Sequence, residues 1–206
     1  MVDKKTEEYY LYCGIGKKWH NLKIGDFTND EKALKKVENY LHKIKEAEKD
    51  GIGLYLYGSN GTGKSMLLNT LFMELIKRKR TVFVLSIDEL VSKVTSSWYS
   101  KEEEESLINF RKVDFFGIDE FGKNLDKDGN PRVIPDLVKR IVESTIRYRV
   151  QMNKPICISS NTDVAYVGKV FSEDIASLLN EAVLPIRVTG EDFRKKIQVK
   201  MKDKYL

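Results

Sequence analysis

The sequence predicts a three-layer α/β fold, a five-stranded parallel sheet flanked by helices. Two observations predict it. Short, continuously apolar runs recur along the 206-residue chain, the pattern of parallel strands covered on both faces. Between them lie stretches whose apolar residues return at helical spacing, so strands and helices alternate. No internal repeat and no low-complexity linker interrupts that order.

Met1 to Tyr12 is polar and charged and has no apolar signal core. Asp30 to Asp50 reads as a helix, with Ala33, Leu34, Val37, Leu41, Ile44 and Ala47 near one face. Gly51 and Gly53 end it and open a strand, Leu54 to Tyr57. Leu67, Leu68, Leu71, Phe72, Leu75 and Ile76 mark the next helix, closed by the cations Lys77 to Arg80 at its carboxyl end. Val82 to Leu85 is a strand, Ile87 to Trp98 a helix and Ser106 to Arg111 part of another, with the acidic run Glu102 to Glu105 as a solvated helix start. Val113 to Ile118, Pro155 to Ser159 and Pro185 to Val188 read as strands. Pro135 to Arg149 and Ser172 to Glu181 read as helices.

The composition is 41% hydrophobic and 33% charged, that of a soluble globular chain. No apolar run approaches the roughly 20 residues a membrane span needs, so no membrane partner is expected. Cys13 and Cys157 cannot build a disulfide framework, and two histidines give no zinc set. A cytoplasmic protein is expected. The net charge of +5 permits nucleic-acid contact without demanding it. Its excess gathers after Arg194, in Lys195, Lys196, Lys200, Lys202 and Lys204, which make either a solvated tail or a phosphate-contacting one. Tyr9, Tyr10, Tyr12, Trp98 and Tyr99 either pack or stack on bases. Asp126 to Asn130 departs from a calcium loop in its glycine position and in Leu137, and reads as a turn.

The chemistry begins at Gly58-Ser59-Asn60-Gly61-Thr62-Gly63-Lys64-Ser65, a G-x-x-x-x-G-K-S loop between a strand and a helix. Its glycines let backbone N–H groups wrap a polyphosphate, helped by the helix start, which includes Met66. Lys64 reaches the β- and γ-phosphates, and Ser65 holds Mg²⁺. Phe115 to Glu120 is an apolar strand ending in two acids. Asp119 has the chemistry to hold Mg²⁺ beside Ser65. Glu120 can polarise a water for in-line attack, which favours hydrolysis over phosphoryl transfer. Ser159-Ser160-Asn161 ends another strand. Asn161 touches the γ-phosphate or orients water there, or the triplet is a helix N-cap.

In this order the motifs resemble the ATPase domain of AAA+ (ASCE-class, P-loop NTPase) replicative helicase loaders of the DnaC/DnaI type, with the related IstB transposition ATPases. The likeness runs from about Leu11 to Arg194 and includes Cys13 to Trp19, Leu54 to Leu68, Asp114 to Gly122, Ile156 to Asn161 and Gly190-Glu191-Asp192-Phe193-Arg194. It implies Walker A at Lys64 and Ser65, Walker B at Asp119 and Glu120, sensor 1 at Asn161 and sensor 2 at Arg194. It also implies a helical insertion between Ile87 and Arg111 that meets DNA and neighbouring subunits.

Two departures stand out. No segment resembling the loaders' N-terminal helicase-binding domain precedes Leu11. The helix Asp174 to Glu181, where the family places an arginine finger, holds no Arg or Lys. A finger supplied in trans is worth roughly 10³–10⁵ in rate, so slow intrinsic turnover is expected. Arg140, Arg147, Arg149 and Arg187 are the candidates to replace it.

The resulting expectation is an N-terminal extension and lead-in helix packed on the core (1–50), an AAA+ domain (51–194) and a basic tail (195–206). The domain binds Mg·ATP, hydrolyses it, and loads or helps to load a replicative DNA helicase onto single-stranded DNA. Self-assembly into an oligomer or filament belongs to this expectation. The alternatives are an IstB-type transposition helper and a regulatory module that holds ATP with negligible turnover.

Overall fold

The computed structural model describes residues 2–97, 111–121 and 135–194. The helical readings at 98–110, the calcium-like turn at 126–130 and the tail 195–206 lie outside them. In chain order come α1 (Lys4–Tyr12), α2 (Glu31–His42), α3 (Ile44–Asp50), β1 (Gly53–Tyr57), α4 (Lys64–Lys77), β2 (Val82–Ser86) and α5 (Ile87–Ser96). They are followed by β3 (Phe115–Asp119), α6 (Asp136–Gln151), β4 (Ile156–Ser160), α7 (Val167–Val170), α8 (Glu173–Ala182) and β5 (Val183–Arg187).

The five strands form one parallel sheet in the order β2-β3-β4-β1-β5. Their side chains alternate between two apolar layers. Leu54, Leu56, Val82, Val84, Phe115 and Cys157 face one way, onto Val37 and Leu41 of α2 and Leu67, Leu71 and Phe72 of α4. Tyr55, Phe83, Leu85, Phe116, Ile118, Ile156 and Ile158 face the other, onto Leu90, Ile141, Ile146, Ile175 and Leu179. Each fully buried Leu, Ile or Phe contributes about 1.5–3 kcal/mol, so both layers are required. Gly117 leaves the room that Phe72 fills: a Cβ there would lie 3.1 Å from the Phe72 ring.

The chain covers its own sheet edge at β2. Val84 N–H donates to Cys13 O (2.9 Å), and Gly14 takes a left-handed turn (φ +82°) against Val84. At the other edge β5 carries Pro185, which has no N–H to offer another strand.

Two sequence expectations change, and one segment left unassigned by the sequence gains an element. Asp30 to Asp50 is two helices, not one, broken at Lys43 (φ −99°, ψ 20°), whose N–H is shared between Asn39 O and Tyr40 O. The apolar residues stay in phase across the break, so periodicity alone does not show it. The polar start is also structured: α1 is capped by Asp3, which accepts from Thr6 N–H (3.0 Å), and buries Tyr10.

The second change concerns Arg149, which is fully buried and no finger. It donates to Val113 O (3.1 Å), Asp114 O (2.8 Å) and Pro155 O (2.8 Å), clasping the entries to β3 and β4. Burial pushes its guanidinium down to about 10, still charged near neutrality. Arg149→Leu strands these carbonyls. It is expected to cost about 3 kcal/mol, read as a lower urea midpoint at unchanged m-value.

Candidate functional site

β3, β4 and β1 are neighbours, so their carboxyl ends open at one place. Gly58 N–H donates to Ser160 O (3.3 Å), tying the start of the glycine loop to the end of β4. Gly61 (φ +77°) and Gly63 (φ +99°) hold left-handed turns that side chains resist. Space excludes a side chain as well: a Cβ on Gly61 would strike the Asp192 carboxylate, and one on Gly63 would lie 2.7 Å from the Phe27 ring. The first bond of α4 is Leu67 N–H to Gly63 O, so the N–H groups of Lys64, Ser65 and Met66 are left for a ligand. The Met66 side chain packs into the α2–α4 layer.

Lys64 is buried, and its Nζ donates to Gly58 O (2.9 Å) and Ser59 O (2.7 Å). Burial pushes its ammonium down to about 8. Asp119 pulls it back up, and the Arg194 charge pushes it further down.

Asp119 is the hub of the polar cluster. Its Oδ1 accepts from Ser65 Oγ (2.9 Å), Glu120 N–H (2.9 Å) and Ser159 Oγ. Glu120 takes a left-handed backbone (φ +59°), rare for a side chain of its type, and its N–H also lies 3.3 Å from Ser159 Oγ. Phe121 N–H then donates to Ser159 O (2.8 Å). The sequence pointed to the Ser159–Asn161 triplet. It gave Ser159 no separate part, because its partner lies 40 residues away.

Asn161 is exposed just past β4 and lines a cavity of about 580 Å³ with Ser59, Thr62, Asp163, Arg187 and Thr189. Arg194 is exposed at the start of a helical turn, and its N–H donates to the capping Asp192 Oδ1 (2.9 Å). Phe193 N–H donates to Gly61 O (2.9 Å), which sets that turn against the glycine loop. Of the remaining finger candidates, Arg147 lies 3.8 Å from Asp174, Arg140 is exposed on α6, and Arg187 lines the cavity. Of the aromatic residues, Tyr10 is buried, while Tyr9 and Tyr12 stay exposed. Trp98 and Tyr99 lie outside the described residues.

Comparison with known proteins fits this geometry. A model of the KAP family P-loop domain matches residues 35–105. The chain is similar to the replicative helicase loader DnaI of Bacillus subtilis (strain 168), 25% identical over 170 residues, covering 77% of this chain and 52% of that protein. It is similar to the replicative helicase loader DnaC of Escherichia coli (strain K12), 23% identical over 175 residues, covering 78% and 66%. The match thus spans about half to two thirds of these relatives. A crystal structure of DnaI superposes with TM-score 0.68 at 24% identity over 84% of this chain and 94% of that one. The DnaC helicase loader gives 0.73 at 16%, over 84% and 100%. The replication initiator DnaA bound to AMPPCP and single-stranded DNA gives 0.66 at 18%, over 92% and 56%. At these identities the structures establish the fold. The chain is thus similar to the DnaC/DnaI helicase loaders and shares their P-loop α/β fold.

The Lys64 environment predicts a proton linkage. A bound polyphosphate favours the charged ammonium and raises its pKa above 8. Triphosphate binding should therefore take up a proton above about pH 8, and affinity should fall as pH rises past it. Calorimetry in buffers of different ionisation enthalpy reads this uptake directly, and Lys64→Arg should abolish it.

Proposed function

We propose that this domain binds Mg·ATP, hydrolyses it slowly, and uses its nucleotide states to load, or help to load, a replicative DNA helicase onto single-stranded DNA. The observation that carries the reading is the convergence on Asp119 of Ser65 from the glycine loop and Ser159 from β4. The residues present fit the cation: a serine hydroxyl and a carboxylate oxygen 2.9 Å apart form a hard oxygen donor pair. Ser65 and Asp119 would hold Mg²⁺, which when bound neutralises charge on the β- and γ-phosphates.

This chain's own groups account for the rest. The backbone N–H groups from Gly58 to Met66 bind the phosphate oxygens, and Lys64 exchanges its two carbonyls for them. Glu120, half-buried one residue past β3, accepts a proton from a water that attacks the γ-phosphorus. The bond to the β-bridging oxygen breaks, and ADP leaves with its electron pair. Asn161 orients the water or the γ-phosphate from the β4 end. Arg194, planar and permanently charged, contacts the γ-phosphate and reports its loss.

The helicase and single-stranded DNA enter this reading from the loaders and the initiator that the domain resembles. In a self-assembled oligomer or filament, Arg140 or Arg147 of an adjoining subunit would supply the missing finger. One observation favours a second reading, a regulatory module with negligible turnover. The α8 helix (EDIASLLNEA) carries no cation, and Arg149 is committed to the fold.

Lys64→Ala should abolish ATP binding. Glu120→Gln should keep ATP affinity and lower turnover by at least ~100-fold. Unchanged hydrolysis in that variant would sink the general-base role. A rate near zero with DNA and partner present would favour the regulatory module. Capture from native cells with Glu120→Gln and ATP should recover a hexameric helicase. Recovery of a transposase would instead support an IstB-type helper.

A further inference from the structure

The lead-in before α2 reaches the candidate site through two consecutive side chains. Asn29, half-buried, donates from Nδ2 to Thr62 O in the glycine loop (3.2 Å) and to Glu191 O in the segment before Arg194 (2.8 Å). The next residue, Asp30, caps α2 by accepting from Ala33 N–H (3.0 Å). It also accepts from Thr189 N–H (2.9 Å) and Thr189 Oγ1 (2.6 Å). Gly190 turns left-handed between these contacts (φ +117°), and a Cβ on it would lie 2.6 Å from Asn29 Nδ2. Beneath, Phe193 N–H holds Gly61 O, and the Phe27 and Phe193 rings lie 6.5 Å apart over Gly63.

The segment 189–194 therefore has no independent position. It is fastened to the lead-in at Thr189, to the glycine loop at Gly61, and to both at once through a single amide group.

We propose that Asn29 is the positioning residue that registers the Arg194 arm to the phosphate loop, so that Arg194 meets a γ-phosphate at a fixed place. The proposal rests on the reading of Arg194 as the residue that contacts the γ-phosphate. Asn29 is suited to the task because one amide nitrogen offers two donors, and each here is given to a backbone carbonyl of a different segment. A shift of the glycine loop on nucleotide binding is passed to Glu191 through that nitrogen. Asp30 in the same stroke ties the arm to the start of α2, so the lead-in helix follows the nucleotide state.

Asn29→Asp keeps the shape and removes both donors. Two hydrogen bonds of ordinary net strength correspond to about a tenfold effect. Amide hydrogen exchange on the full chain should show Phe193 and Arg194 opening ~10-fold more often, with exchange in β1 and β4 unchanged. Isothermal titration with ATP and ADP should show ~10-fold loss of preference for ATP, with ADP affinity nearly retained. In an Arg194→Ala background the same substitution should change the preference no further. Gly190→Ala, which pushes the arm off Asn29 from the other side, should reproduce both effects.

Unchanged exchange at Phe193 and Arg194 in Asn29→Asp overturns the proposal, as does full additivity with Arg194→Ala. If Arg194→Ala itself leaves ATP preference intact, the sensor reading of Arg194 fails, and the exchange measurement still decides whether Asn29 holds the arm.

Discussion

One carboxylate oxygen organises this molecule's working edge. Asp119 Oδ1 receives the Ser65 hydroxyl, the Ser159 hydroxyl and the Glu120 N–H. Each donor comes from a different segment: the helix after the glycine loop, the end of β4, and the turn after β3 itself. A carboxylate so held has one orientation, and the orientation positions everything around it. It ties α4 to β3, and it fixes the turn that carries Glu120. The strand order makes this meeting possible, because β4 lies between β1 and β3 and brings Ser159 within reach of both.

The opposite edge of the sheet is stabilised by different chemistry. There Arg149 spends a buried charge on three backbone carbonyls at the entries to β3 and β4, and Asp114 accepts from Thr81 N–H and Oγ1 at 2.8 Å to join β2. These contacts fix the strand starts, so that the strand ends, one sheet height away, arrive in register. Structural and chemical polar groups are thereby separated to the two edges. A change at Arg149 reaches the site only through stability, whereas a change at Ser159 reaches Asp119 directly.

The sequence reveals the strands and the glycine loop because both are local. The runs at β1 to β4 read as covered strands from a few consecutive residues, β5 shows as a shorter mixed run, and the loop motif needs only eight residues. What escaped is long-range or phase-neutral. The break at Lys43 leaves Val37, Leu41 and Ile44 on one face. Ser159 and Asn29 act on partners far along the chain, and no local pattern announces them. Arg149 is different, since its helical phase with Val142 and Ile146 already placed it on the apolar face of α6. That phase was the available signal against reading it as an exposed finger. Asp30 likewise stood at the expected helix start, where a cap was legible and its second partner, Thr189, was not.

On the proposed reading, the charges around the loop give a physical origin for nucleotide discrimination. Lys64 is buried, and the Arg194 charge is close enough to depress its pKa further. Two cations pressed together in a partly desolvated place repel, and Asp119 offsets only part of that. A phosphate between them turns the repulsion into two attractions. The gain grows with the charge of the group that enters, and it would be largest for a γ-phosphate met by both side chains as proposed. Loss of that phosphate restores the repulsion, and the more exposed of the two, Arg194, is the one free of burial to move. Its movement is constrained by the arm that carries it, and that arm is pinned at Gly61, Thr189 and Glu191. If the proposal holds, release of a phosphate would become a displacement of a defined segment against the lead-in helix, which is what a nucleotide-controlled binding surface requires.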